Sequence, residues 1–144
     1  MRVYIEEKTM KTLEEIREYF SHDAYAVQTT GAEIIEARPG YGKVRLVLDE
    51  RHINGAGHVM GGVYFTLADL ASAVAINHDF DEELSVGMTG NIEFISSVTG
   101  GTIYAEAMVL KEGRKVSFSE IRVTDENGKL LAQTNMSSYK VKTR

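Results

Sequence analysis

The sequence predicts a single α+β domain in which an antiparallel sheet wraps around one long central helix. Residues 61–77 form a long apolar stretch in which Asp69 is the only charge. A helix that is apolar on nearly every side must be enclosed by other structure. A predicted hairpin precedes this helix and four predicted strands follow it, so an antiparallel sheet curled around the helix is the economical arrangement.

The segments before the central helix have clear boundaries. Residues 12–20, TLEEIREYF, predict a short amphipathic helix, and Thr12 with Glu15 makes a capping box at its start. The following hairpin has apolar residues at alternating positions over 44–48, after the polar turn PGYGK. The glycine-rich loop RHINGAGHVMGG then leads into the helix, and a loop of about a dozen residues in a compact domain is often functional.

Four strands are predicted after the acidic connection HDFDEEL. Their sequences are SVGMTGNIEFISS, TIYAEAMVLK, KVSFSEIRVTD and KLLAQTNMSSYKV. The turn EGR joins the second and third of these strands. The turn ENG joins the third and fourth, and its Asn127-Gly128 pair predicts a hairpin because both residues tolerate a positive φ. The edge strands and partly open face of such a sheet favour dimerisation.

Composition and charge exclude several classes of function. A net charge of −5 argues against nucleic acid as a partner, because phosphate binding needs a basic face. The absence of cysteine from the sequence excludes disulfides, thiolate metal sites and cysteine nucleophiles. The four histidines lack a metal-binding spacing such as HExxH.

Two segments indicate where in the cell the protein is expected. Residues 1–11 contain no apolar signal-peptide core and no small-residue cleavage site, so we expect a cytoplasmic protein. Residues 59–76 approach the length of a membrane span, but their glycines, threonine, aspartate and serine favour a helix buried in a soluble core. We therefore expect one domain over residues 1–144 with no membrane contact, in which residues 1–22 form an N-terminal helical extension.

The glycine pair Gly61 and Gly62 and the carboxylate of Asp69 are the main candidates for chemistry. Glycines at a helix start let a ligand approach closely, and the first-turn N–H groups point outward at the positive end of the helix dipole. Such a site suits an anion or the oxyanion of acyl transfer, with Asp69 as general base or nucleophile. Alternatively, the glycines form only a tight turn, and Asp69 is a buried carboxylate bonded to Thr66 or Ser72.

Helix geometry restricts how these groups act together. Gly61 and Asp69 are eight residues apart, or about 12 Å along one helix, so one substrate carbonyl cannot touch both. If they cooperate, Asp69 must come from a second copy of the chain, with two such helices antiparallel across a two-fold axis. The sequence therefore predicts a dimer with composite sites at its interface.

Four segments together resemble one family of enzymes. They are TTGAEIIEARPGYGKVRLVL, HINGAGHVMGG, GGVYFTLADLASAVA and GRKVSFSEIRVTDENGKLLAQ. In this order and spacing they are similar to the hotdog-fold acyl-CoA thioesterases of the PaaI-like (phenylacetate-pathway) family. The resemblance implies a hotdog fold, a homodimer that is often a dimer of dimers, and hydrolysis of an acyl-CoA to the free acid and CoA. It implies no metal and no cofactor other than the coenzyme A of the substrate.

The resemblance also implies roles for individual residues. The Gly61 amide would polarise the thioester carbonyl, and Asn54 would help to hold the substrate or the attacking water. Asp69 of the partner subunit would be the nucleophile or general base. Arg114 and Lys115, in the turn EGRK, would lie near the nucleotide end of coenzyme A, and the alternative for these two is a solvated turn.

One position departs from the family pattern. The family usually carries His-Gly-Gly at the helix start, whereas this chain has Met60-Gly61-Gly62, and the nearest imidazole is that of His58. A methionine can neither donate a hydrogen bond nor titrate. We assign Met60, Gly62 and His58 to substrate binding. The departure keeps open a second function, an acyl-CoA-binding protein without catalysis; a hotdog dehydratase ranks last, because no histidine here is suitably placed after an aspartate.

Two further features of the central helix concern water and the acyl group. Ala73 lies one turn after Asp69 and offers no hydroxyl to position water, and Ser72 points to another face. Four residues line an apolar pocket or belong simply to the core: Tyr64, Phe65, Met88 and Phe94. The sequence does not identify the acyl group.

Overall fold

The computed structural model describes residues 10–143, which form one antiparallel sheet and two α-helices. The helices are α1 (Leu13–Phe20) and α2 (Gly61–Ile76), and the strands are β1 (Glu33–Arg38), β2 (Tyr41–Val47), β3 (Glu83–Phe94), β4 (Thr102–Glu112), β5 (Val116–Asp125) and β6 (Leu130–Lys142). Their order across the sheet is β1-β2-β4-β5-β6-β3, and every neighbouring pair is antiparallel. The predicted α+β class and element order are confirmed.

The N-terminus of α1 has the predicted capping box. The Glu15 amide donates to Thr12 Oγ1 at 3.2 Å, and the Thr12 amide donates back to the Glu15 carboxylate at 3.3 Å. A π-helical turn, Ala24–Thr29, follows α1, and the Asp23 carboxylate caps it by accepting the Ala26 amide at 2.8 Å. Residues 1–9 of the predicted N-terminal extension lie outside the described residues.

Helix α2 packs on the inner face of the sheet and supplies much of the core. Its side chains Leu67, Ala68 and Ala71 are fully buried. Strand β2 approaches this helix closely at Gly42, where an added Cβ would lie 2.6 Å from the Ala71 carbonyl oxygen. Any larger residue at position 42 would push the sheet away from the helix and open the core.

One side of α2 remains open in the single chain. Phe65, Thr66 and Ala73 are half-buried there and Asp69 is exposed, and we call these four residues the open face of α2. They recur at the three- to four-residue spacing that aligns side chains on one side of a helix. The predicted enclosure of the apolar helix is therefore complete on the sheet side and incomplete along this stripe.

The turn between β5 and β6 contains one left-handed residue. Asn127 has no positive φ, and Gly128, at +83°, is the residue in the left-handed region. Asp125 holds the turn instead, because its Oδ1 accepts the amides of Asn127 and Lys129, both at 2.9 Å. The predicted hairpin is confirmed, and only Gly128 of the Asn127-Gly128 pair uses the left-handed conformation.

No helix within residues 10–143 combines the length and the apolar character needed to cross a membrane.

Candidate active site

The N-terminus of α2 presents one free amide. The Gly61 N–H has no hydrogen-bond acceptor within residues 10–143, whereas the next amide, that of Gly62, donates to Met60 Sδ at 2.9 Å. Gly61 borders a cleft of about 340 Å³, whose other lining residues are Val59, Tyr64, Phe94, Ile95, Ser96 and Ser97. An unpaired amide at the positive end of a helix, beside an apolar cleft, can bind the oxygen of a carbonyl as negative charge develops on it.

Exposed side chains pack against both glycines of the pair. A Cβ at Gly61 would lie 2.8 Å from Cε1 of Phe94, and one at Gly62 would lie 2.7 Å from Met60 Sδ. These contacts are compatible with the alternative interpretation of the pair as a tightly packed turn. It does not account for the free Gly61 N–H, which is the feature available for chemistry.

The loop before α2 is held by its own polar groups. Asn54 Oδ1 accepts the amides of Ala56 at 2.9 Å and His58 at 3.2 Å, and a bridge between Ile53 and Val59 closes the loop. The side-chain NH₂ of Asn54 has no acceptor among the described residues, so it is the group available to a ligand. The exposed His58 ring contacts Ser97, with Nδ1 3.1 Å from the serine Oγ.

Asp69 lies on the open face and has no hydrogen bond or ion pair within the described part of the chain. The hydroxyls that could have bonded it are used elsewhere: Thr66 Oγ1 donates to the Gly62 carbonyl at 2.8 Å, and Ser72 Oγ lies 3.0 Å from Ser119 Oγ. The alternative interpretation of Asp69 as a buried, hydroxyl-bonded carboxylate is therefore wrong. An unbonded carboxylate with access to solvent is free to take a proton from a reactant.

The surroundings of Asp69 raise its pKa. It lines a cleft of about 410 Å³ together with Asp23, Tyr25, Ala26, Phe65 and Thr66. Protein atoms on one side of the carboxylate desolvate it, which raises its pKa, and the negative charge of Asp23 raises the pKa further. Both effects disfavour the charged form, and a carboxylate with a raised pKa is a stronger base than an ordinary aspartate.

Strand β3 runs along α2 in the opposite direction, and its last residue, Phe94, lines the cleft at Gly61. Phe94 lies against Gly61, and an added Cβ at Gly90 would lie 2.8 Å from the ring of Phe65. At Gly87 an added Cβ would lie 3.8 Å from Asp69 Oδ1. Gly87 and Gly90 were not among the residues predicted to form the site, although isolated glycines in a strand pattern commonly mark such close approaches.

The candidate residues fall into two separate groups. Gly61 and Asp69 occupy one straight helix, eight residues and about 12 Å apart, so the single chain does not bring them together. Arg114 and Lys115 are exposed in the turn between β4 and β5. That turn precedes Ser117, which is linked through Ser138 to Gly87, so these two cations lie toward Asp69 and away from Gly61 of the same chain.

The aromatic residues predicted from the sequence are also divided between the two clefts. Tyr64 and Phe94 line the cleft at Gly61, and Phe65 lines the cleft at Asp69. Met88 lies at a bulge of β3 and is 49% exposed. Within residues 10–143, no group of three or more histidine, aspartate or glutamate side chains could hold a metal ion.

Comparison with known proteins identifies the family. A family model described as the thioesterase superfamily matches residues 56–132, which is more than half of the chain. The chain belongs to the thioesterase superfamily. The match includes the central helix, the free Gly61 amide and Asp69. The predicted family, and with it the enzyme class of thioester hydrolases, is confirmed.

Individual relatives of this chain are also named as thioesterases or CoA hydrolases. The 1,4-dihydroxy-2-naphthoyl-CoA hydrolase of Listeria monocytogenes is 30% identical over 105 residues, covering 72% of this chain and 85% of that protein. The acyl-coenzyme A thioesterase PaaI of Escherichia coli is 27% identical over 123 residues, covering 85% and 86% of the two chains. The structure of zebra fish thioesterase superfamily member 2 matches with a TM-score of 0.80 at 29% identity, over 90% of this chain and 98% of that one. The predicted hotdog fold is thereby confirmed.

Proposed function

We propose that the protein is an acyl-CoA thioesterase, with catalytic sites shared between two copies of the chain. The observation that carries the proposal is the arrangement along α2. The helix presents a free amide at Gly61 and an unbonded carboxylate with a raised pKa at Asp69, beside two clefts of similar size. These are the two groups that thioester hydrolysis needs, an oxyanion donor and a base or nucleophile.

The two groups act on one carbonyl only when they come from different chains. Two α2 helices lying antiparallel across a two-fold axis bring Gly61 of one copy to Asp69 of the other, and the same operation creates a second, identical site. The incompletely covered open face of α2 and the edge position of β3 both supply surface for such contact. The proposed unit is a homodimer, and further pairing gives a dimer of dimers.

The chemistry then follows from the two groups. In the general-base route, Asp69 takes a proton from water as the water oxygen bonds to the thioester carbon. The carbonyl oxygen becomes negatively charged and accepts the Gly61 N–H. The C–S bond then breaks, the free acid forms, and the CoA thiolate takes up a proton. In the nucleophilic route, Asp69 attacks the carbonyl carbon, and the C–S bond breaks to release the CoA thiolate, which takes up a proton. Water then cleaves the resulting anhydride into the free acid and the Asp69 carboxylate. Neither route requires a metal or another cofactor.

The remaining assigned residues would hold the two ends of the substrate. The unpaired NH₂ of Asn54 and the residues Met60, Gly62 and His58 surround the helix start, where the thioester would lie. Arg114 and Lys115 would contact the negatively charged nucleotide end of coenzyme A. Both side chains are exposed, and the net charge of −5 makes a local cationic patch the natural place for an anionic ligand.

A second function, acyl-CoA binding without hydrolysis, is favoured by one observation. The Met60 sulfur occupies the Gly62 amide, so only one amide of the first turn remains free, and the side chain itself donates no hydrogen bond. A site with weakened carbonyl polarisation would still bind the thioester in the same clefts. The retained carboxylate of Asp69 favours hydrolysis.

The decisive experiment compares wild type with Asp69→Asn on a panel of aromatic and aliphatic acyl-CoA substrates. We expect the wild type to hydrolyse at least one substrate and the variant to lose at least about 100-fold in kcat, because the amide cannot accept the proton. Binding of a non-hydrolysable acyl-CoA analogue, measured by calorimetry, should remain close to wild type since the substitution is isosteric. Unchanged turnover in Asp69→Asn contradicts the assignment, and tight binding without turnover in wild type supports the binding protein instead.

A further inference from the structure

The side chain of Met60 folds over the first turn of α2. Met60 is the cap residue directly before the helix, and its Sδ accepts the Gly62 N–H at 2.9 Å. The sulfur can lie there because Gly62 has no side chain, since a Cβ at position 62 would be 2.7 Å from Sδ and 3.2 Å from Cε. The thioether is therefore held beside the unpaired Gly61 N–H, because the first-turn amides are neighbours that point the same way.

Met60 is accessible to small oxidants. It is 52% exposed, and the cleft at Gly61 admits a thioester in the proposed function, so hydrogen peroxide can also reach the sulfur. Peroxide converts an exposed thioether into a sulfoxide, which is polar and carries a strong hydrogen-bond acceptor. Three other methionines are exposed, Met10, Met88 and Met108, but they lie before α1, in β3 and in β4. Among the described residues, Met60 is thus the methionine whose oxidation changes the helix start.

We propose that Met60 is an oxidation site whose sulfoxide blocks the Gly61 amide, an inference that rests on the proposed role of that amide. Hydrogen peroxide transfers one oxygen to Met60 Sδ. The O–O bond breaks, the sulfur is oxidised by two electrons, and the second peroxide oxygen leaves as water. The new sulfoxide oxygen accepts the Gly61 N–H in place of the thioester carbonyl. Oxidation therefore inhibits the enzyme at the step that places charge on the carbonyl oxygen.

The geometry of the helix start favours this contact. The 2.9 Å between Sδ and the Gly62 nitrogen leaves no room for an oxygen atom between them, so the oxidised side chain must move outward. The neighbouring Gly61 N–H is unpaired, and the positive end of the helix dipole attracts the negative sulfoxide oxygen. An acceptor on the same chain also has a high effective concentration. It therefore competes with the carbonyl of a free substrate.

Peroxide treatment of three proteins tests the inference: wild type, Met60→Leu and Met108→Leu. We measure kcat/KM with the acyl-CoA that wild type hydrolyses fastest, relative to the same protein before treatment. Wild type should lose at least about 10-fold, because its oxyanion donor is occupied. Met60→Leu should stay within about twofold of its untreated value, since no sulfoxide forms at the helix start. An equal loss in Met60→Leu overturns the inference.

Met108→Leu is the matched control for removal of one methionine. Met108 is 53% exposed, almost the same as Met60, but it lies in β4. This variant should be inhibited like wild type, and resistance equal to that of Met60→Leu contradicts a special role of Met60. Peptide mass spectrometry identifies the oxidised methionines. The two methionine sulfoxide reductases, one for each sulfoxide epimer, should restore wild-type activity as they reduce Met60. Reduction of Met60 without recovery also overturns the inference.

A second readout does not depend on turnover. In ¹H–¹⁵N NMR spectra, the Gly61 amide proton should move downfield and exchange more slowly after oxidation, because it gains a hydrogen bond. The same treatment of Met60→Leu should leave that signal in place. An unmoved Gly61 signal in wild type with fully oxidised Met60 overturns the inference. Absence of acyl-CoA hydrolysis by untreated wild type overturns the proposed function instead, so the two failures are distinguishable.

Discussion

The two clefts along α2 differ in what the protein contributes to each. At the helix start the chemical group is part of the backbone, the Gly61 amide, and its neighbours are mainly apolar side chains and two serines. At the open face the chemical group is a side chain, Asp69, with a second carboxylate, Asp23, lining the same cleft. One cleft can stabilise negative charge and the other can accept a proton. Neither contains both groups, and this division is the physical reason for proposing a site completed by a second chain.

The largest expected effect is a loss of activity when either cleft is disabled, and it tests whether the two groups must come from different chains. Gly61→Val places a side chain against Phe94 and fills the cleft, so we expect it to lower kcat/KM by at least about 100-fold, as Asp69→Asn does. Refolding the two inactive variants together should restore activity. Random pairing makes half of the dimers mixed, and each mixed dimer has one intact site, so about a quarter of wild-type activity is expected.

The control for this experiment is each variant refolded alone, with assembly followed by native mass spectrometry. Recovered activity should increase in proportion to the mixed species. Mixed dimers that form without any recovery contradict a site shared between chains.

A smaller effect is expected at Met60, the residue directly before the glycine pair. The thioether accepts the Gly62 N–H and cannot donate, whereas an imidazole can donate to a substrate carbonyl. We expect Met60→His to raise kcat up to about 10-fold, measured by steady-state kinetics, by adding a donor at the oxyanion. Met60→Leu, which keeps the size of the side chain and removes the sulfur, is the matched control. A rate unchanged in Met60→His shows that this position only shapes the loop.

The pKa of Asp69, in the second cleft, can be changed by a substitution at Asp23. The negative charge of Asp23 contributes to the raised pKa of Asp69, so Asp23→Asn should lower that pKa and move the acid limb of the pH profile of kcat/KM to lower pH. Asparagine also caps helices well, so the Ala26 contact should persist. Glu126→Gln removes the same charge at the β5–β6 turn and should leave the limb in place. A shift of equal size in both variants contradicts a local effect of Asp23.

The smallest effect concerns stability. Since the pKa of Asp69 is raised in the folded protein, its stabilising contribution is complete at pH values below the unfolded pKa and is lost as pH rises through the folded pKa. At pH 7 the charged carboxylate therefore weakens the fold, and Asp69→Asn should raise Tm modestly in thermal unfolding followed by circular dichroism. The difference from wild type should shrink in acid. A lower Tm for Asp69→Asn at pH 7 contradicts the raised pKa.

Sequence pattern predicted the fold well because its signals are local. The capping box of Thr12 and Glu15 and the apolar run from Gly61 depend on neighbours within a few residues, and each element formed where expected. The site was predicted only in part, since its arrangement depends on contacts distant in sequence. The 3.8 Å approach of the Gly87 Cβ position to Asp69, and the Asp23 charge beside that carboxylate, arise only when β3 and the π-helical turn pack around α2.

The glycines of β3 have a consequence for local unfolding. β3 is the last strand of the sheet and pairs with β6 alone, and Gly87 and Gly90 give it a low intrinsic preference for the extended state. Its amides should therefore exchange hydrogen with solvent faster than those of the central strand β5, through openings smaller than global unfolding. Each opening moves Gly87 away from Asp69. In the proposed dimer, a copy of the chain bound along this edge would suppress these openings. If the proposed dimer forms, protection of β3 amides should increase with protein concentration, and dimer formation would then order the proposed site as well.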